Sequence, residues 1–311
     1  MKKTILFLLA GFCFYQASSQ LTASNRETLQ NMEDSMKTYA YDILQARNVE
    51  ARFNADSIFT RMLVRALQVK GSFYYPFDSL ATISRLSPTD SSFKIFTWQL
   101  VIDESRVRQH GAIQMKTNDG SLKLFPLIDK ASLIENIEDT ITSNLSWVGA
   151  VYYQVVEKKA FGNKVYTLLG YDENDLNSNR KIIETLSFDN GRPVFGGGYF
   201  SFPDNALQKK AIARYVMEYK KNAGPRLTYD PDMDMIVYEH LISETGEPGK
   251  KYTYIPDGDY EGLKWNNGKW VHVNKIFDQV TPEGQPPVPN PLESGGILND
   301  KRPADSRPPK N

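Results

Sequence analysis

Residues 147–202 constrain the chain most. They run WVGAVYYQVVEKKAFGNKVYTLLGYDENDLNSNRKIIETLSFDNGRPVFGGGYFSF, three stretches of β-branched and aromatic residues joined by turn signals, the pattern of an antiparallel meander. In 147–156 and 165–171 apolar side chains fall at odd and even positions alike: Val151, Tyr153 and Val155 against Val148, Tyr152 and Val156, and Val165 and Leu169 against Tyr166 and Leu168. A strand with one wet face alternates apolar and polar residues, so these strands need cover on both faces and belong at the centre of a sheet. Gly162-Asn163 and Asn190-Gly191 supply the positive φ values of primed hairpin turns, and the second sets Asp189 opposite Arg192. Gly196-Gly197-Gly198 lacks the flanking pattern of a phosphate loop and reads as a bulge or a close backbone approach.

The N-terminus has a different design. Lys2 and Lys3 precede an apolar run at 5–15, and Ala17-Ser18-Ser19 follow it, as in a secretory signal peptide cleaved after residue 19. The run falls short of the ~20 residues a membrane span needs. Cys13 follows Phe12 inside the run, whereas a lipoprotein signal places a small residue before its cysteine. Cleavage removes the chain's one cysteine, which excludes disulfides, thiol nucleophiles and cysteine-ligated zinc from the mature chain. It also removes two lysines and no acid, leaving 35 basic against 37 acidic side chains from an original 37 and 37. Nucleic acid is not an expected partner, because phosphate backbones call for a basic surface.

Helical periodicity starts at Ser24, with Ser24 to Glu27 as a capping box and Leu29, Met32, Met36, Tyr39 and Ile43 on one face. A second helix is expected over 57–70, capped by Asp56 and ended by Gly71, with Ile58, Phe59, Met62, Leu63, Ala66 and Leu67 inward. These helices, in an N-terminal segment spanning 20–71, are expected to cover one face of the central strands. Residues 72–91 read as loop with a helical turn. Paired strands follow at 93–102 and 111–117, and Asp119-Gly120 turns the chain into 122–127. Residues 132–143 suit a short helix with a second capping box, Ser132 and Glu135.

Beyond the meander, a helical turn at 205–210 and a strand at 212–220 pairing with 226–229 are expected, then strands at 235–242 and 251–255. A hairpin about Asn267-Gly268 places Trp265 opposite Trp270 in the close, non-hydrogen-bonded position, worth up to ~1 kcal/mol. Residues 279–311 hold 8 of the 17 prolines and few apolar side chains, a composition that cannot offset the entropy of ordering. The fold class is therefore α+β: one mainly antiparallel β meander domain over 72–278, with N-terminal helices packed on it.

Four runs, Tyr166-Thr167-Leu168-Leu169-Gly170-Tyr171-Asp172, Ser178-Asn179-Arg180-Lys181-Ile182-Ile183-Glu184, Asn190-Gly191-Arg192-Pro193-Val194-Phe195-Gly196 and Ile236-Val237-Tyr238-Glu239-His240-Leu241, together with Gly268-Lys269-Trp270-Val271, carry a resemblance. Over roughly 90–277 the chain resembles uncharacterised secreted proteins of the Bacteroidota. The resemblance implies a Gram-negative envelope setting and transfers no activity.

Chemistry is sparse in the sequence. His110, His240 and His272 lack HExxH or HxH spacing, and no GxSxG elbow is present. Asp172 and Glu184 flank a polar loop as a carboxylate pair that glycoside hydrolysis could use. Two acidic loops have oxygen ligands at alternate positions, as a calcium loop begins: Asp175-x-Asn177-x-Asn179 and Asp230-x-Asp232-x-Asp234. Both lack the sixth-position glycine and twelfth-position glutamate of an EF-hand. The ligand set with side-chain chemistry behind it is Asp172, Asp175, Asn177 and Asn179, with calcium as the one cofactor to test; Asx turns account for the same residues. The function these features favour is a non-catalytic binding or structural role, periplasmic or secreted, with an envelope protein or a glycan as partner. The alternative is a carboxylate-dependent hydrolase of envelope or polysaccharide substrates.

Overall fold

The computed structural model describes residues 21–103, 105–203 and 212–276. The signal peptide, the helical turn at 205–210 and the proline-rich tail of the sequence reading lie outside the described residues.

Two helices open the fold, α1 (Ala23–Gln45) and α2 (Val49–Gln68). Each starts earlier than its sequence signal. The Thr22 side chain accepts the Asn25 N–H at 3.2 Å, and the Asn48 side chain accepts that of Ala51 at 2.8 Å. Nothing interrupts the helical period between Asn48 and Asp56, so the better-placed cap starts α2 and Asp56 falls inside the helix on its buried face.

Four antiparallel strands form the first sheet in chain order: β1 (Ser84–Leu86), β2 (Phe93–Asp103), β3 (Arg106–Met115) and β4 (Lys123–Ile128). The second sheet holds β5 (Thr142–Ser143), β6 (Val151–Ala160), β7 (Asn163–Asp172), β8 (Ser178–Asp189) and β9 (Arg192–Phe195) in the order β5-β9-β8-β7-β6. In the third, β10 (Phe200–Ser201) pairs parallel with a late strand, and β11 (Arg214–Lys220) returns to the second sheet. Then β12 (Leu227–Asp230), β13 (Met235–Ser243), β14 (Tyr254–Asn266) and β15 (Lys269–Val273) complete the order β10-β15-β14-β13-β12.

Strand alternation stacks these elements into layers around three cores. On β2, Phe96, Trp98 and Leu100 face Phe59, Leu63, Met36 and Ile43 of the helices, while Phe93 and Ile95 face the second sheet. On β7, Leu168 joins the core against the first sheet and Leu169 the core against the third; on β8, Ile182 and Ile183 divide in the same way. β7 and β8 are thus central and covered on both faces, whereas β6, also expected at the centre, is an edge strand of the second sheet, paired with β7 alone. The covers of β7 and β8, however, are the first and third sheets, and the helices pack one layer further out, on the first sheet.

Local turn chemistry holds where the sequence placed it. Asn190 and Gly191 have φ of 49° and 72°, and Asn267 and Gly268 have 48° and 79°, as primed two-residue hairpins require. Trp265 and Trp270 are cross-strand partners with ring centroids 5.1 Å apart, edge to face. The meander's first turn sits one residue early, at Phe161-Gly162, with Asn163 opening β7.

Two elements differ from expectation. β11 does not pair with 226–229; it pairs with β8 from Ser178 to Glu184, because β9 occupies that edge of β8 only from Leu186 to Asp189. Residues 132–143 are not a helix. Apart from a single turn at Ala131–Leu133, their carbonyls are taken by tertiary donors: Glu138 O accepts N–H bonds from Ala213 and Arg214, and Ile137 O and Thr140 O accept from the Arg214 guanidinium. Carbonyls so engaged cannot close i to i+4 bonds. No described helix is long and apolar enough to cross a membrane.

Candidate functional site: a mixed-charge cleft at the end of the first sheet

β4 is shorter than β3. Its ladder with β3 runs from His110 to Met115, and beyond Ile128 the chain leaves the sheet through the turn at Ala131–Leu133. The space between the uncovered end of β3, the 129–137 segment and the end of the β7–β8 hairpin of the second sheet is a cleft of about 1100 Å³. Arg106, Gln109 and His110 line it from β3, Asp129 and Lys130 from the segment after β4, and Asp172 and Arg180 from β7 and β8. Ile128, Leu133, Ile134 and Ile137 give it an apolar flank.

Gln109 organises the floor. Its backbone N–H donates to Asp129 Oδ2 at 3.1 Å, and its side-chain amide donates to Asp172 Oδ1 at 3.0 Å, so one residue holds two carboxylates. The other oxygen of Asp129 accepts the Ala131 N–H at 3.0 Å and starts the turn that carries the chain out of the sheet. Asp129 also lies against Gly149, where a Cβ would meet its carboxyl at 2.9 Å; φ there is +83°. Asp172 accepts the Asn174 N–H at 3.2 Å through the same oxygen that Gln109 reaches. Burial pushes the Asp172 carboxyl above the usual carboxylate range. The Gln109 and Asn174 hydrogen bonds and the Arg180 charge pull the other way, and the nearby Asp129 carboxylate adds to the rise. Gln109 Oε1 is buried and has no hydrogen-bond partner among the described residues, on a residue that is 2% exposed. Such an orphan acceptor costs ~1–3 kcal/mol, which a donor from a bound molecule would offset.

On the opposite face of β3, His110 Nδ1 lies 3.0 Å from Asp56 Oδ1, which also accepts the Trp98 indole N–H at 2.8 Å. The residue expected to cap α2 is instead a buried acid that orients a cleft histidine.

The other half of the sequence-derived carboxylate pair is elsewhere. Glu184 is fully buried, bonded to the Arg214 guanidinium at 3.0 Å and to the Tyr152 hydroxyl, which accepts the Trp147 indole N–H at 2.7 Å. Burial and the Glu184 charge hold the Tyr152 phenol far above its ordinary value. Arg214 continues to Ile137 O, Thr140 O and Thr142 Oγ1, tying the distal end of the cleft segment to the second sheet. Asp172 and Glu184 therefore do not act on one substrate.

The four residues of the calcium expectation lie on one loop and the strand ends beside it, with both aspartates bonded to other partners and Asn179 Oδ1 buried without one. Asp175 Oδ1 accepts the N–H groups of Asn177 and Ser178 at 2.7 and 2.9 Å, an Asx turn, while Asp172 faces Gln109. Asn179 donates to Lys221 O at 2.9 Å, and Asn177 is exposed. The Lys221 ammonium donates to the Glu173 and Asp175 carbonyls at 2.9 and 2.8 Å, so a cation already occupies this loop. In the second acidic loop Asp230 makes another Asx turn and Asp234 pairs with Lys158 and Tyr229. His240 and His272 approach one carboxylate, Glu261, at 3.8 and 3.1 Å, but among the described residues no group of three or more histidine, aspartate or glutamate side chains suits a metal ion.

Asp129 and Gln109 are the residues sequence reasoning missed, and it read Asp56 only as a cap and His110 only for metal spacing. The only local signal is at Asp129, an acid directly after the apolar strand β4, which turn chemistry explains equally well.

Fold and site together define a layered α+β protein with an open, mixed-charge cleft at a sheet end. Compared with protein-family models, curated proteins and solved structures, the chain finds no match.

Proposed function

We propose that the chain is an exported envelope protein of the kind found in the Bacteroidota, and that its role is to bind a polar ligand in the cleft. One observation carries the binding reading: Gln109 holds Asp129 and Asp172 side by side and leaves its own carbonyl oxygen without a donor. A ligand rich in hydrogen-bond donors satisfies all three acceptors. The charged N-terminal run and small residues before Gln20 support export. Thermal melting of the protein against a panel of envelope glycans and peptides tests the reading. A true ligand at 100 times its Kd stabilises by about 2.7 kcal/mol, and Asp129→Ala will abolish that shift. A panel that gives no shift dependent on Asp129 refutes it.

Carboxylate-dependent hydrolysis stays as a second reading because the Asp172 carboxyl is raised beside a second carboxylate, an arrangement that suits a proton donor. Its pair is Asp129 with Asp172. Hydrolysis would show as turnover lost in Asp172→Asn with ligand binding retained; binding without turnover in the parent protein removes it.

A further inference from the structure

The end of β3 offers the cleft a main-chain donor and acceptor. Alternate residues of a strand present their N–H and C=O to the same side. Gln109 directs its N–H to the β4 side, where Asp129 Oδ2 receives it, and Val107 lies two residues earlier with no bulge between them. Val107 therefore faces the β4 side too. Its partner across the β2–β3 ladder, Val101, gives its carbonyl to Arg52 Nε at 2.6 Å, away from β3, as a non-hydrogen-bonded pair must. The N–H and C=O of Val107 thus project past the end of β4 into the cleft that Val107 lines.

We propose that the cleft binds an extended peptide segment of another protein, added as a short antiparallel strand at Val107, with a lysine or arginine side chain reaching Asp129, Asp172 and Gln109 Oε1. The proposal rests on the binding reading above and names its ligand class. The peptide takes the path β4 would follow if it continued. A peptide main chain meets the adjacent N–H and C=O with matching groups, and pockets on either side then read alternate side chains. The two carboxylates and the orphan carbonyl oxygen call for a cationic, multi-donor group at one of those positions. A second copy of the chain is the wrong occupant, because exposed Arg106 and Arg108 flank Val107 and would oppose the same arginines on a like edge. About 1100 Å³ lies at or above the ~300–1000 Å³ that small-molecule pockets occupy, which leaves room for several peptide residues.

The test uses the full chain and fluorescent hexapeptide pools with lysine, arginine or glutamate fixed at the third position, read by polarisation beside a labelled neutral tetrasaccharide. The lysine or arginine pool should bind at least tenfold more tightly than the glutamate pool. Val107→Pro removes an N–H that no ladder bond uses and should weaken the pool tenfold or more. Backbone N-methylated peptides should lose the same binding on the parent protein, which decides the matter if Val107→Pro does not fold. Equal binding to Val107→Pro, or by N-methylated peptides, overturns the proposal. Binding of the tetrasaccharide without peptides also overturns it and leaves the binding reading standing; binding of neither removes both.

Discussion

At the scale of single residues, the strongest commitment is the ion pair of Arg214 and Glu184, both without solvent exposure. Two charges withdrawn from water are tolerated because, besides their bond to each other, four neighbours complete their hydrogen bonds: Tyr152, Ile137, Thr140 and Thr142. Removing one partner strands the other charge. Arg214→Leu is therefore expected to lower unfolding free energy by ~3–5 kcal/mol, and Arg214→Leu with Glu184→Leu by less than the single change; urea denaturation measures both. Asp172 sets a pH dependence of opposite character. Its folded-state value lies above the unfolded ~3.9, so ionisation disfavours the fold. The penalty is absent below the unfolded value, grows as pH rises towards the folded value and is complete above it. Asp172→Asn should raise the urea midpoint at pH 7, and that gain should vanish near pH 3.5. A midpoint unchanged at pH 7 contradicts this account.

Between residues and fold, each element's outcome follows from whether its partners are local. The Asn-Gly hairpins and the Trp265–Trp270 register were legible because a two-residue turn fixes the pairing of strands beside it. The 132–143 segment was not, because Arg214, far along the chain, claims the carbonyls a helix would need. The start of α2 was misplaced because Asp56 looks like a cap until Trp98 and His110 are known to approach it. At the 172–179 loop, Asp175 Oδ1 is taken by an Asx turn, Asp172 Oδ1 by Gln109 and Asn174, and the Lys221 ammonium already bonds two backbone carbonyls of the loop. Melting curves in 5 mM calcium and in chelator are accordingly expected to coincide; a calcium shift abolished by Asp175→Ala would restore the ion.

For the whole molecule, layering decides stability. Among the described residues there are three cores, one between helices and first sheet and two between successive sheets. Trp147, Tyr152, Phe195 and Trp270, each fully buried, lock the central layer to its neighbours. Because 279–311 is rich in proline and poor in apolar side chains, a chain ending at Asp278 should melt within a few degrees of the mature chain. A larger loss would place part of a core in 279–311.

The sequence by itself determined the α+β class, the antiparallel meander, the central position of β7 and the primed turns, because each rests on periodicity or turn chemistry within about ten residues. Only the tertiary structure decided which layer covers which, since an apolar face states that it must be buried and not against what. The same reason hid the cleft. Asp56, Gln109, Asp129 and Asp172 come from a helix, two strands and a loop, and no spacing along the chain encodes the meeting that the end of β4 allows.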